Sequence, residues 1–227
     1  SKYAISVNSG TSALILAIKS LNLPKNCKII SPAITFFASA SATILNNHQL
    51  DLVDIELENY TLDLNKLESK LKKDKKIKAV IGVDYAGNLC DWKNLSYFKK
   101  KYNLYLINDN CHALGSRLNK SNKYAIKHAD IVTQSFHPVK HFTTGEGGAV
   151  LTNNKKFRDR VNLLRNHGIE RNARTEKKMG SWYYNIRNIG YNFRLSDINC
   201  ALGISQIKKL NKFVSKRRNI ANHYNKI

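Results

Sequence analysis

Apolar positions along this chain follow two rhythms, short runs or every-second-residue patterns on the one hand and residues three or four apart on the other. Tyr3 to Val7 has the first rhythm and reads as a short strand. Asn8-Ser9-Gly10-Thr11-Ser12 then turns into a helix with Leu14, Ile18 and Leu21 on one face, ended by Pro24 and Asn26. Lys28 to Ser31 reads as a second strand, Thr35 to Leu45 as a small-residue helix suited to packing tightly on a sheet, and Leu50 to Ile55 as a strand. Asp63 can cap a helix through Leu64, Leu67 and Leu71, after which Ala79 to Asp84 is apolar enough to be a buried strand. Trp92 to Tyr102 reads as helix, and Leu104 to Asn108, Ile131 to Phe136 and Ala149 to Thr152 as strands. Helices resume at Lys155 to Arg165 and from Ser196 almost to the end, leaving residues 168–192 as the longest irregular segment. Strands alternating with helices predict an α/β fold with a largely parallel sheet.

Composition narrows this picture. A chain of 227 residues can bury one substantial core and is read as one domain. Lys and Arg number 38 against 16 Asp and Glu, a formal charge of +22 that raises the question of a polyanion partner. The lysines are scattered, in runs no longer than Lys72, Lys73, Lys75, Lys76 or Lys99 to Lys101. They read as solvated helix faces and not as a nucleic-acid-binding arm. Cys27, Cys90, Cys111 and Cys200 form no CxxC pair, which suggests neither a zinc site nor a disulfide framework, but reduced thiols of a cytoplasmic protein. No apolar run is long enough to cross a bilayer and the start lacks a signal-peptide layout, so no membrane partner is expected.

Ligands of open α/β sheets gather at the carboxyl ends of the strands, so candidate chemistry is sought there. The stretch SFHPVKHFTTGEGGAV, Ser135 to Val150, sets Lys140 between a strand end and a glycine-rich turn, Gly145 to Gly148. Desolvation there would make the amine a nucleophile; otherwise Lys140 is one more surface lysine. Ser9-Gly10-Thr11-Ser12 offers a helix N-terminus and hydroxyls to a phosphate, or an ordinary N-cap. Asp109, followed by His112, could hold a protonated ring nitrogen, or cap a helix beside a structural histidine. Phe36 could lie on a flat cofactor or belong to the core, and Ser135 could serve the same phosphate as Thr11 and Ser12. His137 and His141 are four apart, but Pro138 between them and the lack of a nearby carboxylate argue against a metal. Lysine, acid, aromatic ring and helix terminus together describe a pyridoxal phosphate site.

The runs NSGTSAL, PAITFFASASA, VDYAG, NDNCHALGS, SFHPVKHFTTGEGGAVLTN, RNHGI and NIGYNFRLSDINCALGISQIKKL follow one another in this order. In that, the chain resembles the DegT/DnrJ/EryC1/StrS aminotransferases, which act on nucleotide-linked keto sugars. VDYAG, SFHPVKHFTTGEGG and SWYYNIRNIGYNFRLSD are most like the branch of pseudaminic acid biosynthesis, which aminates C4 of a UDP-linked 4-keto-6-deoxy-N-acetyl sugar. The resemblance implies a fold-type I PLP-dependent transferase large domain over residues 1–210, with 211–227 starting a linker helix toward a small carboxyl-terminal domain that is largely missing. It implies that Lys140 forms the Schiff base and moves the proton, that Asp109 pairs with the pyridine nitrogen, and that His112 sits near the ring on which Phe36 stacks. Gly10, Thr11, Ser12 and Ser135 would bind the phosphate. Asn192 and Arg194 would reach into the neighbouring site of a homodimer. Lysine at 140, where sugar-dehydrating relatives have histidine, implies transamination with glutamate as donor, for cell-surface glycan synthesis in the cytoplasm. A dTDP-linked substrate, amination at C3, or a non-catalytic fragment are the alternatives. Asn108 stands where the family more often has an acid, and Asn110-Cys111 where small residues are common.

Overall fold

The computed structural model describes residues 1–171 and 173–226. Its sheet contains strands β1 (Tyr3–Val7), β2 (Lys28–Pro32), β3 (Gln49–Val53), β4 (Ile77–Val83), β5 (Tyr105–Asp109), β6 (Ile131–Ser135) and β7 (Gly148–Thr152), in the order β1-β7-β6-β5-β4-β2-β3. β7 is antiparallel to both its neighbours and the other adjacent pairs are parallel, so the sheet is mostly parallel as expected. A two-stranded ribbon, β8 (Ile169–Glu170) with β9 (Asn185–Ile186), lies outside it.

The central strands are buried on both faces, and the alternation of side chains along them sorts the core into two halves. Ile29, Ile81, Ile107 and Ile131 face α1 (Gly10–Leu21), α2 (Phe37–Leu45) and α6 (Lys155–Leu164). Their neighbours Ile30, Val80, Leu106 and Val132 face α3 (Leu64–Lys73), α4 (Trp92–Tyr102) and α5 (Tyr124–His128). Asp63 caps α3 through the amides of Asn65 and Lys66, as its position predicts. Lys70, Lys72, Lys99 and Lys101 pair with Asp51, Glu68, Asp130 and Glu68, so part of the positive charge on these helices is matched by acids beside it.

Three expectations change. α2 starts at Phe37 because Phe36 is still extended (φ −68°, ψ 139°), and its small residues Ala38 and Ala42 pack with α1 as well as the sheet, tied by Asn46 Nδ2 to the Ile15 carbonyl. The terminal helix is two helices, α8 (Asp197–Ile207) and α9 (Leu210–Tyr224). The Lys209 amide bonds back only three residues, to Gln206, which turns the chain between them. Inside residues 168–192 lies α7 (Ala173–Met179), whose sequence ARTEKKM has no apolar stripe to announce it. All four cysteines are free thiols. Among the described residues no helix is long and apolar enough to cross a membrane.

Candidate active site

A cavity of about 410 Å³ opens where the carboxyl ends of β4, β5 and β6 meet the N-terminus of α1. Ser9, Gly10 and Thr11 line it from the turn into α1, Thr35 and Phe36 from the entry to α2, Asp109 and His112 from the end of β5. Ser135 and Lys140 come from the segment after β6. Two glycines make the convergence possible. A Cβ on Gly10 would stand 2.7 Å from Ser135 Cβ, and one on Gly148 would stand 2.6 Å from the Ser9 carbonyl oxygen. Ser9 caps α1, accepting the Ser12 amide at 3.0 Å, and so aims the free amides of the first turn at the cavity.

Asp109 is 5% exposed. Its carboxylate accepts the Ser39 hydroxyl at 2.6 Å and the Cys111 amide at 3.2 Å, which leaves lone pairs for a donor inside the cavity. It caps no helix; the residues after it form turns. Burial first, and the charge of Lys140 second, hold the His112 imidazole below its ordinary pKa and so neutral at neutral pH. Its ring stands edge-on to Tyr85, and Nδ1 faces the amide of Ala86 at 3.5 Å. Phe36 is 66% exposed, so it is not a core phenylalanine, and its ring is available to a ligand. Lys140 closes a turn on the His137 carbonyl, and Arg217 of α9 donates to the carbonyls of Val139 and Lys140 at 3.1 and 3.0 Å.

Not every expected residue faces this cavity. The Ser12 hydroxyl is buried against Ser9 Oγ at 2.9 Å, and Ser9 lines the cavity in its place. Asn192 and Arg194 lie elsewhere: Asn192 bridges Asn166, and Arg194 donates to Asn166 Oδ1 at 2.6 Å. The Asn8 amide donates to the carbonyl of Phe193 between them. His137 lines the cavity, whereas His141 lines a second one of about 570 Å³ together with Arg217 and Arg218, so the two imidazoles do not converge. Burial, and then Arg217, push the His141 pKa down to about 4. Ser39, Thr35 and Arg217 carry no local motif in the sequence; helix packing and long-range contact bring them to the site.

The set is an amine, a buried carboxylate with spare acceptor capacity, and a helix N-terminus flanked by hydroxyls. It fits a planar heterocycle with a protonated ring nitrogen and a phosphate. Comparison with known proteins agrees. A family model described as the DegT/DnrJ/EryC1/StrS aminotransferase family matches residues 1–227. A UDP-4-amino-4,6-dideoxy-N-acetyl-beta-L-altrosamine transaminase of Campylobacter jejuni is 43% identical over 99% of this chain and 57% of its own length. Among solved structures, Helicobacter pylori PseC, an aminotransferase of pseudaminic acid biosynthesis, superposes with a TM-score of 0.88 at 31% identity, over 99% of this chain and 58% of that one. The PLP form of a Streptococcus pneumoniae sugar aminotransferase superposes at 0.84 with 27% identity, over 98% and 59%. The chain therefore spans less than two thirds of the length of these relatives.

Proposed function

The chain belongs to the DegT/DnrJ/EryC1/StrS aminotransferase family, and from that premise we propose that it forms the cofactor-binding part of a PLP-dependent enzyme that aminates a nucleotide-linked keto sugar. The observation that carries the reading is the meeting of Lys140, Asp109 and the N-terminus of α1 around one cavity. Bound pyridoxal phosphate supplies an electron sink for the carbon that loses or gains a proton.

The protein's own residues do the rest. Lys140 Nζ is the nucleophile that holds the cofactor and then the base that moves the proton, its turn fixed by the Arg217 contacts. Asp109 keeps the ring nitrogen protonated, and Ser39 keeps Asp109 in place. Thr11, Ser135 and the free first-turn amides at Gly10 and Thr11 take the phosphate, while Ser12, whose amide and hydroxyl are both engaged by Ser9, acts only by holding Ser9 in place. Phe36 offers an aromatic face and the neutral His112 a contact near the ring.

The substrate we propose is a UDP-linked 4-keto-6-deoxy-N-acetyl sugar, with glutamate as donor, in the cytoplasm. The similarity to the Campylobacter and Helicobacter proteins supports it. We propose as the second partner another copy of this chain. α8 buries only Gly203 while Ile198 and Ile204 stay exposed, and Phe36 and Phe37 are exposed beside the cavity, an apolar surface that a second subunit would cover. Asn192 and Arg194, outside their own cavity, would then serve the neighbour's. The test is an assay of the full-length protein with glutamate against UDP- and dTDP-linked 3- and 4-keto sugars. Amination of the UDP-linked 4-keto sugar with a Lys140→Ala variant inactive is the expected result; no transfer to any member of the panel contradicts the proposal.

A further inference from the structure

The strongest feature that the proposed function leaves unused is Asp84, at the end of β4. It is fully buried, and the five partners around it are neutral donors. Oδ1 accepts the Cys90 amide at 2.9 Å and Trp92 Nε1 at 2.8 Å. Oδ2 accepts Asn108 Nδ2 at 3.0 Å, Asn110 Nδ2 at 2.8 Å and the Tyr124 hydroxyl at 3.1 Å. Burial pushes the carboxyl up from its ordinary pKa, while the donors oppose that shift. Four of the five partners are N–H groups that can only donate, two on each oxygen, and that geometry is the one that suits a carboxylate.

Asn108 and Asn110 flank Asp109. Side chains of consecutive strand residues point to opposite faces. The two asparagines therefore reach to Asp84 on the α4 and α5 side, while Asp109 points to the cavity on the other. The clamp continues outward, for Asn110 Oδ1 accepts Gln134 Nε2 at 2.6 Å and its Nδ2 also donates to Tyr124 at 2.7 Å. On the main chain, the Asp84 amide donates to the Asp109 carbonyl at 3.2 Å.

We infer that Asp84 is a positioning residue for Asp109: by gathering the amides of Asn108 and Asn110 on one oxygen, it fixes the backbone on both sides of Asp109 and so the direction in which that carboxylate enters the cavity. The inference rests on the proposed role of Asp109 toward the cofactor. It also gives a physical reason for the asparagines at 108 and 110, since a carboxylate at either position would face Asp84 charge to charge.

The test compares wild type, Asp84→Asn and Asn110→Ser in the full-length protein, with Leu67→Ala as a control that loosens the same half of the core without touching the network. Two quantities are read. Without cofactor, amide hydrogen exchange of residues 108–111 should speed up about tenfold or more in both network variants, with β1 and β7 unchanged. With pyridoxal phosphate, both variants should shift the visible absorption of the lysine-bound cofactor and raise its Kd about tenfold, whereas Leu67→Ala should do neither. If Asp84→Asn does not fold, Asn110→Ser carries the comparison alone. Local exchange unchanged in the variants, or a spectral change that Leu67→Ala reproduces, overturns the inference. A wild type that binds no pyridoxal phosphate would instead sink the proposed function, and the exchange data would still decide whether Asp84 holds the segment.

Discussion

Asp109 meets Ser39 through a single short hydrogen bond, and that bond is a lever on the whole site. Ser39→Ala removes an interaction with a charged acceptor worth about 1.5–3 kcal/mol. It should weaken cofactor retention by roughly tenfold or more while the protein stays folded, read as Kd by absorbance titration. His141 makes stability depend on pH. Its folded-state pKa, about 4, lies below the ordinary 6.5, so the unfolded chain takes up the proton first as the pH falls. The stabilisation is present above pH 6.5 and is lost on the way down to about 4, and His141→Gln should lose less stability across that window in denaturant melts at stepped pH. Lys140 and Asp109 could be found in the sequence because strand ends and a glycine-rich turn mark their places. Ser39 could not: it sits in the first turn of α2, seventy residues from Asp109 in the chain, and only the packing of α2 brings it there.

At the scale of elements, β4 and α4 are held together by a contact that depends on a missing side chain. A Cβ on Gly82 would stand 2.7 Å from Trp92 Cη2, and the indole cannot swing away without giving up its bond to Asp84. Gly82→Ala should therefore cost about 1–3 kcal/mol of stability in chemical denaturation, an overpacking penalty. Asp63→Ala should cost less, about 1 kcal/mol, as the loss of one helix cap at the surface. Most elements were legible because their apolar residues keep a strand or helix period and Asp63 marks the start of α3, although α1 stops before Pro24 and Asn26, on Asn22 in a left-handed conformation (φ 54°). α7 and α5 were not, the first because its residues are almost all polar and the second because five residues are too few to show a period. The break between α8 and α9 was hidden in a run with neither glycine nor proline, SQIKKL, where the three-residue bond to Gln206 reveals the turn.

Across the whole molecule the parallel sheet acts as a frame: one face carries α1 and the open cavity, the other carries the Asp84 network, and β5 presents a residue to each. The exposed isoleucines of α8 and the exposed Phe36 and Phe37 at the entry to α2 matter here too, since nothing among the described residues covers them. Sedimentation of the full-length protein should therefore show a dimer, and Ile198→Glu with Ile204→Glu should shift it toward monomer. One lysine among many should hold the cofactor, and incubating the protein with pyridoxal phosphate, reducing with borohydride and mapping the modified peptide by mass spectrometry identifies it. The label should fall on Lys140 within SFHPVKHFTTGEGG and vanish in Lys140→Ala. A label spread over surface lysines, or seated on another residue with Lys140 untouched, would contradict it.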